Sequence, residues 1–179
     1  MGKKYYFTAV KKINPRDMEY FLEEQASEGY MLETVGELGL FYFNFIETAP
    51  QKCKYVVDIS SLPKNLYMGT LVDDGWEYMG KTANCYIWRK VYEDQRPKDF
   101  ADKVCLRKHC LRMGTAFLIA SIICVLAFLG FIYGISLENK MGVRIHTVAY
   151  CVEAAFIIPF VLLFSYISKK LFNGLKMYK

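Results

Sequence analysis

The sequence predicts an α+β domain followed by a helical hairpin that crosses a membrane twice. Two apolar runs near the C-terminus, residues 113–137 and 145–168, support the hairpin, because each is long enough to cross a hydrocarbon core of about 30 Å as a helix. Residues 1–97, which we call the head, support the α+β domain, because they repeat a strand, helix, strand, strand pattern. We therefore expect a ferredoxin-like, duplicated βαββ head ahead of a two-helix transmembrane hairpin.

The duplication is visible when the head is compared with itself at an offset of 46 residues. The step Glu28-Gly29-Tyr30 then aligns with Asp74-Gly75-Trp76. In both places the glycine follows a helical stretch, where a left-handed backbone ends a helix at little steric cost. The aromatic residue after it then begins a strand and can cover the end of that helix.

The first unit of the repeat begins with a strand and continues into a helix. Asn14 is the expected N-cap and Pro15 the first helical residue. The second unit repeats this order with a weaker helix. The predicted elements are strand 4–10, helix 15–28, strands 30–35 and 39–48, strand 54–59, helix 62–73, and strands 76–79 and 85–91.

Aromatic side chains are abundant on the predicted strands, as in the run Leu40-Phe41-Tyr42-Phe43. The favoured interpretation is packing, because aromatic residues suit pleated, half-buried surfaces. The alternative is an exposed sheet face that binds a flat ligand or a partner, or that is covered by a second copy of the head.

Catalytic motifs are missing from the head. Residues 1–97 contain no histidine, phosphate-binding glycine loop, HExxH or paired CxxC motif. The head carries a net charge of −2 and no basic patch with interleaved aromatics. The sequence therefore predicts a non-enzymatic module without a cofactor, a metal or a nucleic-acid partner.

Acidic residues crowd the first helix, and we expect them to form a solvated face. They are Asp17, Glu19, Glu23, Glu24 and Glu28.

Basic residues set the expected topology of the hairpin. Five Lys/Arg lie in residues 98–112 and four in residues 169–179, against two in the connecting loop. The positive-inside rule then places both termini in the cytoplasm and makes this a two-span, multi-pass protein of the cell membrane. The expected partners are anionic lipid headgroups and a protein partner or a second copy of the chain.

This interpretation divides the chain into six segments. They are the cytoplasmic α+β domain 1–97, a basic juxtamembrane helix or linker 98–112, transmembrane helix 113–137, an extracytoplasmic loop 138–144, transmembrane helix 145–168 and a basic cytoplasmic tail 169–179.

Two thiols and an imidazole lie together just before the first apolar run. Cys105, His109 and Cys110 are zinc-ligand types, but structural zinc sites need further ligands, and no second ligand pair is evident. A basic helix that contacts lipid headgroups is the favoured interpretation of this segment.

Glu153 is the acidic residue of the second apolar run, about 12 Å inside its outer end. A carboxyl group there is costly and usually faces protein or water. Tyr150 and His146 lie on the same run and could contact Glu153, or Glu153 could dock another membrane subunit.

Gly130 and Gly134 form a GxxxG pattern in the first run, which is typical of close helix packing.

The head resembles the bacterial family of domain of unknown function 2812. The resemblance rests on Phe21–Tyr30, Tyr42-Phe43, Lys54–Asp58 and the step Asp74–Tyr78, and covers roughly residues 4–92. It implies a bacterial membrane protein with a cytoplasmic head, and it supplies no catalytic residues. The resulting hypothesis is a regulatory or binding module on the cytoplasmic face. The alternative is an accessory subunit of a transporter or sensor that uses the hairpin for contact.

Overall fold

The computed structural model describes residues 3–7, 12–35, 42–59, 64–82, 85–142 and 147–178. The elements follow the order expected from the repeat. They are β1 (Lys3–Phe7), α1 (Pro15–Ser27), β2 (Tyr30–Leu32), β3 (Tyr42–Glu47), β4 (Cys53–Asp58), α2 (Lys64–Asp73), β5 (Glu77–Thr82), β6 (Cys85–Val91), α3 (Lys103–Met141), α4 (Thr147–Gly174) and a final 3₁₀ turn, Leu175–Tyr178. The α+β class is confirmed.

The strands form two separate antiparallel sheets with the same internal order. The first is β1-β3-β2 and the second is β4-β6-β5. The predicted ferredoxin-like arrangement is therefore not confirmed. An isolated parallel bridge, Val35 with Gly80, joins the two sheets, and the Val35 nitrogen donates to the Met79 oxygen over 2.7 Å.

Local signals at the helix ends behave as expected. Asn14 caps α1, since its side chain accepts a hydrogen bond from the Arg16 nitrogen, and Pro15 opens the helix. Gly29 and Gly75 have φ values of +89° and +79°, which confirms the left-handed backbone after each helix. The predicted turn at residues 37–39 and a predicted serine cap at residues 60–61 lie outside the described residues.

The chain forms two compact units. The first contains Met1–His109 and Gly174–Lys179, and the second contains Cys110–Asn173. In the first unit, α1 and strands of both sheets share one apolar core. Its fully buried members include Leu22, Leu32, Phe45, Tyr55 and Ile87. A smaller cluster on the other face of the second sheet contains Val56, Leu71, Trp76 and Trp88.

The strand aromatics belong to these cores. Phe43, Phe45, Tyr55 and Trp88 are all at most 1% exposed, whereas Tyr78 is 39% exposed. The packing interpretation is therefore correct for these four residues, and an exposed aromatic face built from them is wrong. The side chains of Tyr5, Tyr6, Phe7 and Tyr42 lie outside the described part.

The second unit contains α3 from Cys110 onward and α4 as far as Asn173. Its helices meet through small side chains: the Ser121 and Ser165 hydroxyls are 2.8 Å apart, and the Ser168 hydroxyl donates to the Gly114 oxygen over 3.0 Å. Helix α3 runs four residues beyond its predicted end at residue 137, because nothing breaks it before Gly142, whose φ is +71°. Both helices are long and apolar enough to cross a membrane.

Candidate functional site

Two carboxylates of α1 are hydrogen bonded to the edge of the second sheet. Among the described strands, β4 pairs only with β6, so alternate N–H groups of β4 point away from the sheet. Glu19 Oε1 accepts a hydrogen bond from the Val57 nitrogen over 2.9 Å, and Glu23 Oε1 accepts one from the Tyr55 nitrogen over 3.3 Å. The spacing of the two carboxylates along α1 matches the spacing of the two N–H groups along β4, because residues four apart on a helix and two apart on a strand are both separated by roughly 6–7 Å.

Cationic side chains surround this pair of carboxylates. Lys54 Nζ lies 3.1 Å from Glu23 Oε1, and Arg96 lies 2.6 Å from Glu23 Oε2. Arg16 lies 3.8 Å from Glu19 and 2.9 Å from Asp99. The ion pairs thus link α1 to β4 and to residues 96–99, which precede α3.

Among the carboxylates of this cluster, Glu19 has the most strongly shifted pKa. Glu19 is only 3% exposed. Burial raises the pKa of Glu19 to about 7, although the Val57 N–H and the charge of Lys54 act in the opposite direction. Near neutral pH this carboxyl group is therefore divided between its charged and neutral forms.

An open cleft of about 390 Å³ lies over this network. Tyr20, which is 56% exposed, and Pro97 provide apolar surface, and Lys103 adds a fourth cation. We call this the charged cleft, and its lining residues are Arg16, Glu19, Tyr20, Lys54, Arg96, Pro97, Asp99 and Lys103. Polar groups that converge on a cleft can orient a small ligand.

The expectation of a solvated acidic face needs correction here. It holds for Glu24 and Glu28, which are exposed, but it is wrong for Glu19 and Glu23, which bond to β4. The signal that could have revealed them is their four-residue spacing beside the apolar stripe of α1. Residues 96–99, where the sequence predicts the end of the head, supply two charges of the cleft, Arg96 and Asp99.

His109, one of the zinc-ligand types before the first apolar run, lies beside a cysteine of β6. His109 Nε2 lies 3.9 Å from Cys85 Sγ, and both residues are buried. Within the described ranges, no group of three or more His, Cys, Asp or Glu side chains could hold a metal. A cysteine and histidine pair thus forms between β6 and the start of α3, although the head itself has no histidine.

The residues singled out in the apolar runs are partly described. Glu153 is exposed on α4. The side chain of Tyr150 and the whole of His146 lie outside the described residues, so their expected contact with Glu153 stays a prediction. Among described atoms, a Cβ placed on Gly130 would have no neighbour within 4 Å, and packing through Gly130 and Gly134 also stays a prediction.

Comparison with known proteins places the chain in a family. A family model described as a protein of unknown function, domain of unknown function 2812, matches residues 14–122. No curated protein and no solved structure matches the chain. The matched region includes α1 with Glu19 and Glu23, which bond to β4, and the first part of α3. Because it covers more than half of the 179 residues, the chain belongs to the domain of unknown function 2812 family.

Proposed function

We propose that this chain is a non-enzymatic binding module anchored in the cell membrane, with its head and its C-terminal segment on the cytoplasmic side. One observation carries the proposal. The segment after α4 belongs to the same compact unit as the head, and the Tyr178 hydroxyl donates to Asn14 Oδ1 over 3.0 Å. A chain that leaves a domain through one membrane helix and returns to it through another crosses the bilayer as a pair of spans.

The surface of the two helices supports the anchor. Large apolar side chains are exposed along both helices, with 62% exposure at Leu126, 66% at Tyr133 and 68% at Phe156. Such a surface is unfavourable in water and suits lipid. Exposed basic residues before and at the start of α3, such as Lys98 and Arg107, fit anionic lipid headgroups.

The binding role is supported by the charged cleft. Glu19 in its lining and Glu23 beside it bond to the backbone of β4, and Glu23 also pairs with Lys54, so the two carboxylates organise the cleft. The remaining space and the exposed Tyr20 ring are available to a ligand. A regulatory protein partner, or a second copy of the chain, would contact the head or the exposed helices.

Topology reporters test the anchor. Green fluorescent protein fused after Lys179 should fluoresce, and alkaline phosphatase fused after Asn139 should be active, because the first folds in the cytoplasm and the second requires the outside. The full chain should also stay in membranes after alkaline carbonate washing. Release by carbonate, or an inactive phosphatase with a dark C-terminal fusion, would contradict the proposal.

Glu153 favours a second candidate function, an accessory subunit of a transporter or sensor complex. This carboxyl group is exposed on an otherwise apolar stretch of α4, and such a group in a membrane usually meets a polar partner. Crosslinking of the tagged chain in membranes, followed by mass spectrometry, compares wild type with Glu153→Gln. A membrane subunit that is captured only by wild type would support this role, whereas unchanged capture would count against it.

A further inference from the structure

The charged cleft carries more positive than negative charge. Four cations line it, against the carboxylates of Glu19 and Asp99. Glu23, whose carboxylate contacts both Lys54 and Arg96, adds one negative charge beside the cleft, so four positive charges face at most three negative ones. In the described part of the chain, Lys103 forms no ion pair. The cleft is therefore attractive to an anion, chiefly between Arg16 and Lys103.

Asp99 already occupies part of that position. Its Oδ2 lies 2.9 Å from Arg16, while its Oδ1 accepts a hydrogen bond from the Ala101 nitrogen. The residue sits in a stretch without helix or strand, between β6 and α3. The Arg16 to Asp99 pair is partly exposed, at 28% and 27% of the two side chains. Exposed pairs of this kind are weak, so an external anion can compete with Asp99.

We propose that the charged cleft binds a small phosphate or carboxylate anion, which replaces Asp99 on Arg16 and also contacts Lys103. The volume of about 390 Å³ is within the range of small-molecule sites. Guanidinium groups bind both anion classes through paired hydrogen bonds, and the Lys103 ammonium adds a point charge. Tyr20 and Pro97 leave room for an apolar part of the ligand beside the charged group.

Displacement of Asp99 has a local consequence. The next residue, Phe100, packs edge-on against Trp76, with ring centroids 4.8 Å apart. Release of Asp99 loosens the segment that holds Phe100 and changes the surroundings of Trp76. The only other tryptophan, Trp88, is fully buried. Tryptophan fluorescence therefore reports on the displacement.

The experiment titrates inorganic phosphate into the detergent-solubilised full chain at constant ionic strength, with calorimetry for affinity and fluorescence for Trp76. Asp99→Asn should bind at least about fivefold more tightly than wild type, because it removes the internal competitor. Arg16→Gln should bind about tenfold more weakly, and Lys103→Gln, at an exposed position, a few fold more weakly. Asp94→Asn, an exposed acidic residue five positions away, and Lys81→Gln are charge-matched controls that should behave as wild type.

A parallel titration distinguishes the source of the anion. Short-chain phosphatidylglycerol is compared with short-chain phosphatidylcholine. Binding of inorganic phosphate that is tightened by Asp99→Asn identifies a free anion, and binding of phosphatidylglycerol alone, tightened in the same way, identifies a lipid headgroup. Equal affinities for Asp99→Asn and Asp94→Asn with both probes would overturn the proposal, as would a lack of saturable binding. The inference rests on the proposed binding role, but the assay in detergent is independent of topology, so its failure would leave the membrane anchor intact.

Discussion

The Oε1 atom of Glu19 lies 2.9 Å from the backbone nitrogen of Val57, where a neighbouring strand would otherwise bond to β4. One turn later, Glu23 does the same for Tyr55. Two helical carboxylates thus close an exposed sheet edge, which is otherwise a site for unwanted strand pairing. The arrangement fixes α1 on β4 and brings Arg16 to the charged cleft.

Glu19 should make the stability of the head depend on pH. Burial raises its pKa from 4.5 to about 7 in the folded state, so the folded chain binds the proton more tightly than the unfolded chain. The stabilisation is complete below pH 4.5 and is lost as the pH rises through about 7. The expected decrease in the free energy of unfolding is about 3 kcal/mol.

The Glu19→Gln variant tests this expectation. Glutamine keeps an oxygen acceptor for the Val57 N–H and cannot ionise, so this component of the pH dependence should disappear. At pH 8 the variant should be at least as stable as wild type. Denaturant unfolding followed by tryptophan fluorescence measures the head alone, because both tryptophans lie in it. Glu24→Gln, at an exposed position of the same helix, should keep the wild-type pH dependence, and an identical pH dependence in Glu19→Gln would contradict the assignment.

The difference between Glu19 and Glu24 illustrates what the sequence can predict. The capping of α1 by Asn14, the left-handed glycines and the apolar runs are local properties, and the structure agrees with them. The pairing of Glu19 with Val57 depends on which strand lies at a sheet edge. That position follows from the strand order β4-β6-β5, and Glu19 and Val57 are 38 positions apart, so the pattern of a single helix does not encode their contact.

The same limit applies to the charged cleft as a whole. Arg16 and Asp99 are 83 positions apart, and only the folded chain brings them to 2.9 Å. The repeat predicted the order of the elements correctly, yet it did not reveal that the strands form two separate sheets. Strand order within a sheet depends on long-range register, whereas helix ends depend on a few neighbouring residues.

Gly80 should be intolerant of a side chain. Its φ is +127°, and a Cβ there would overlap the backbone oxygen of Val35 at the bridge between the sheets. Gly80→Ala should lower the free energy of unfolding of the head by about 2–4 kcal/mol, since it combines backbone strain with a clash. Gly69→Ala is the control. Gly69 lies within α2 with no described atom within 4 Å of its Cβ position, so alanine should stabilise by up to about 1 kcal/mol. Equal effects at the two positions would argue against the bridge.

Tyr178 should hold the C-terminal segment on the head. Its hydroxyl donates to Asn14 Oδ1, and Tyr178 is only 8% exposed. Tyr178→Phe keeps the ring but leaves the buried Asn14 side chain with one hydrogen bond fewer, at an expected cost of about 1 kcal/mol. Trypsin should then cleave faster at Lys176. Tyr166→Phe, at a half-exposed position of α4, should change neither the unfolding of the head nor the cleavage rate. If cleavage is equally slow in both variants, the hydroxyl contact does not hold the segment.

Gly114 should decide how closely α3 and α4 pack. A Cβ at Gly114 would lie 3.4 Å from the Phe172 ring, and the Gly114 oxygen accepts the Ser168 hydroxyl. A Cβ alone would already touch the Phe172 ring, and the further carbons of a leucine would crowd it, so Gly114→Leu should lower the thermal stability of the hairpin and slow its migration on denaturing gels. Gly130→Leu is the matched change, at a position with open space among the described atoms, and should migrate as wild type if the helices meet only within one chain. A strong defect in Gly130→Leu with a normal Gly114→Leu would instead assign the close contact to the GxxxG pattern of Gly130 and Gly134, and would place the packing surface between copies of the chain.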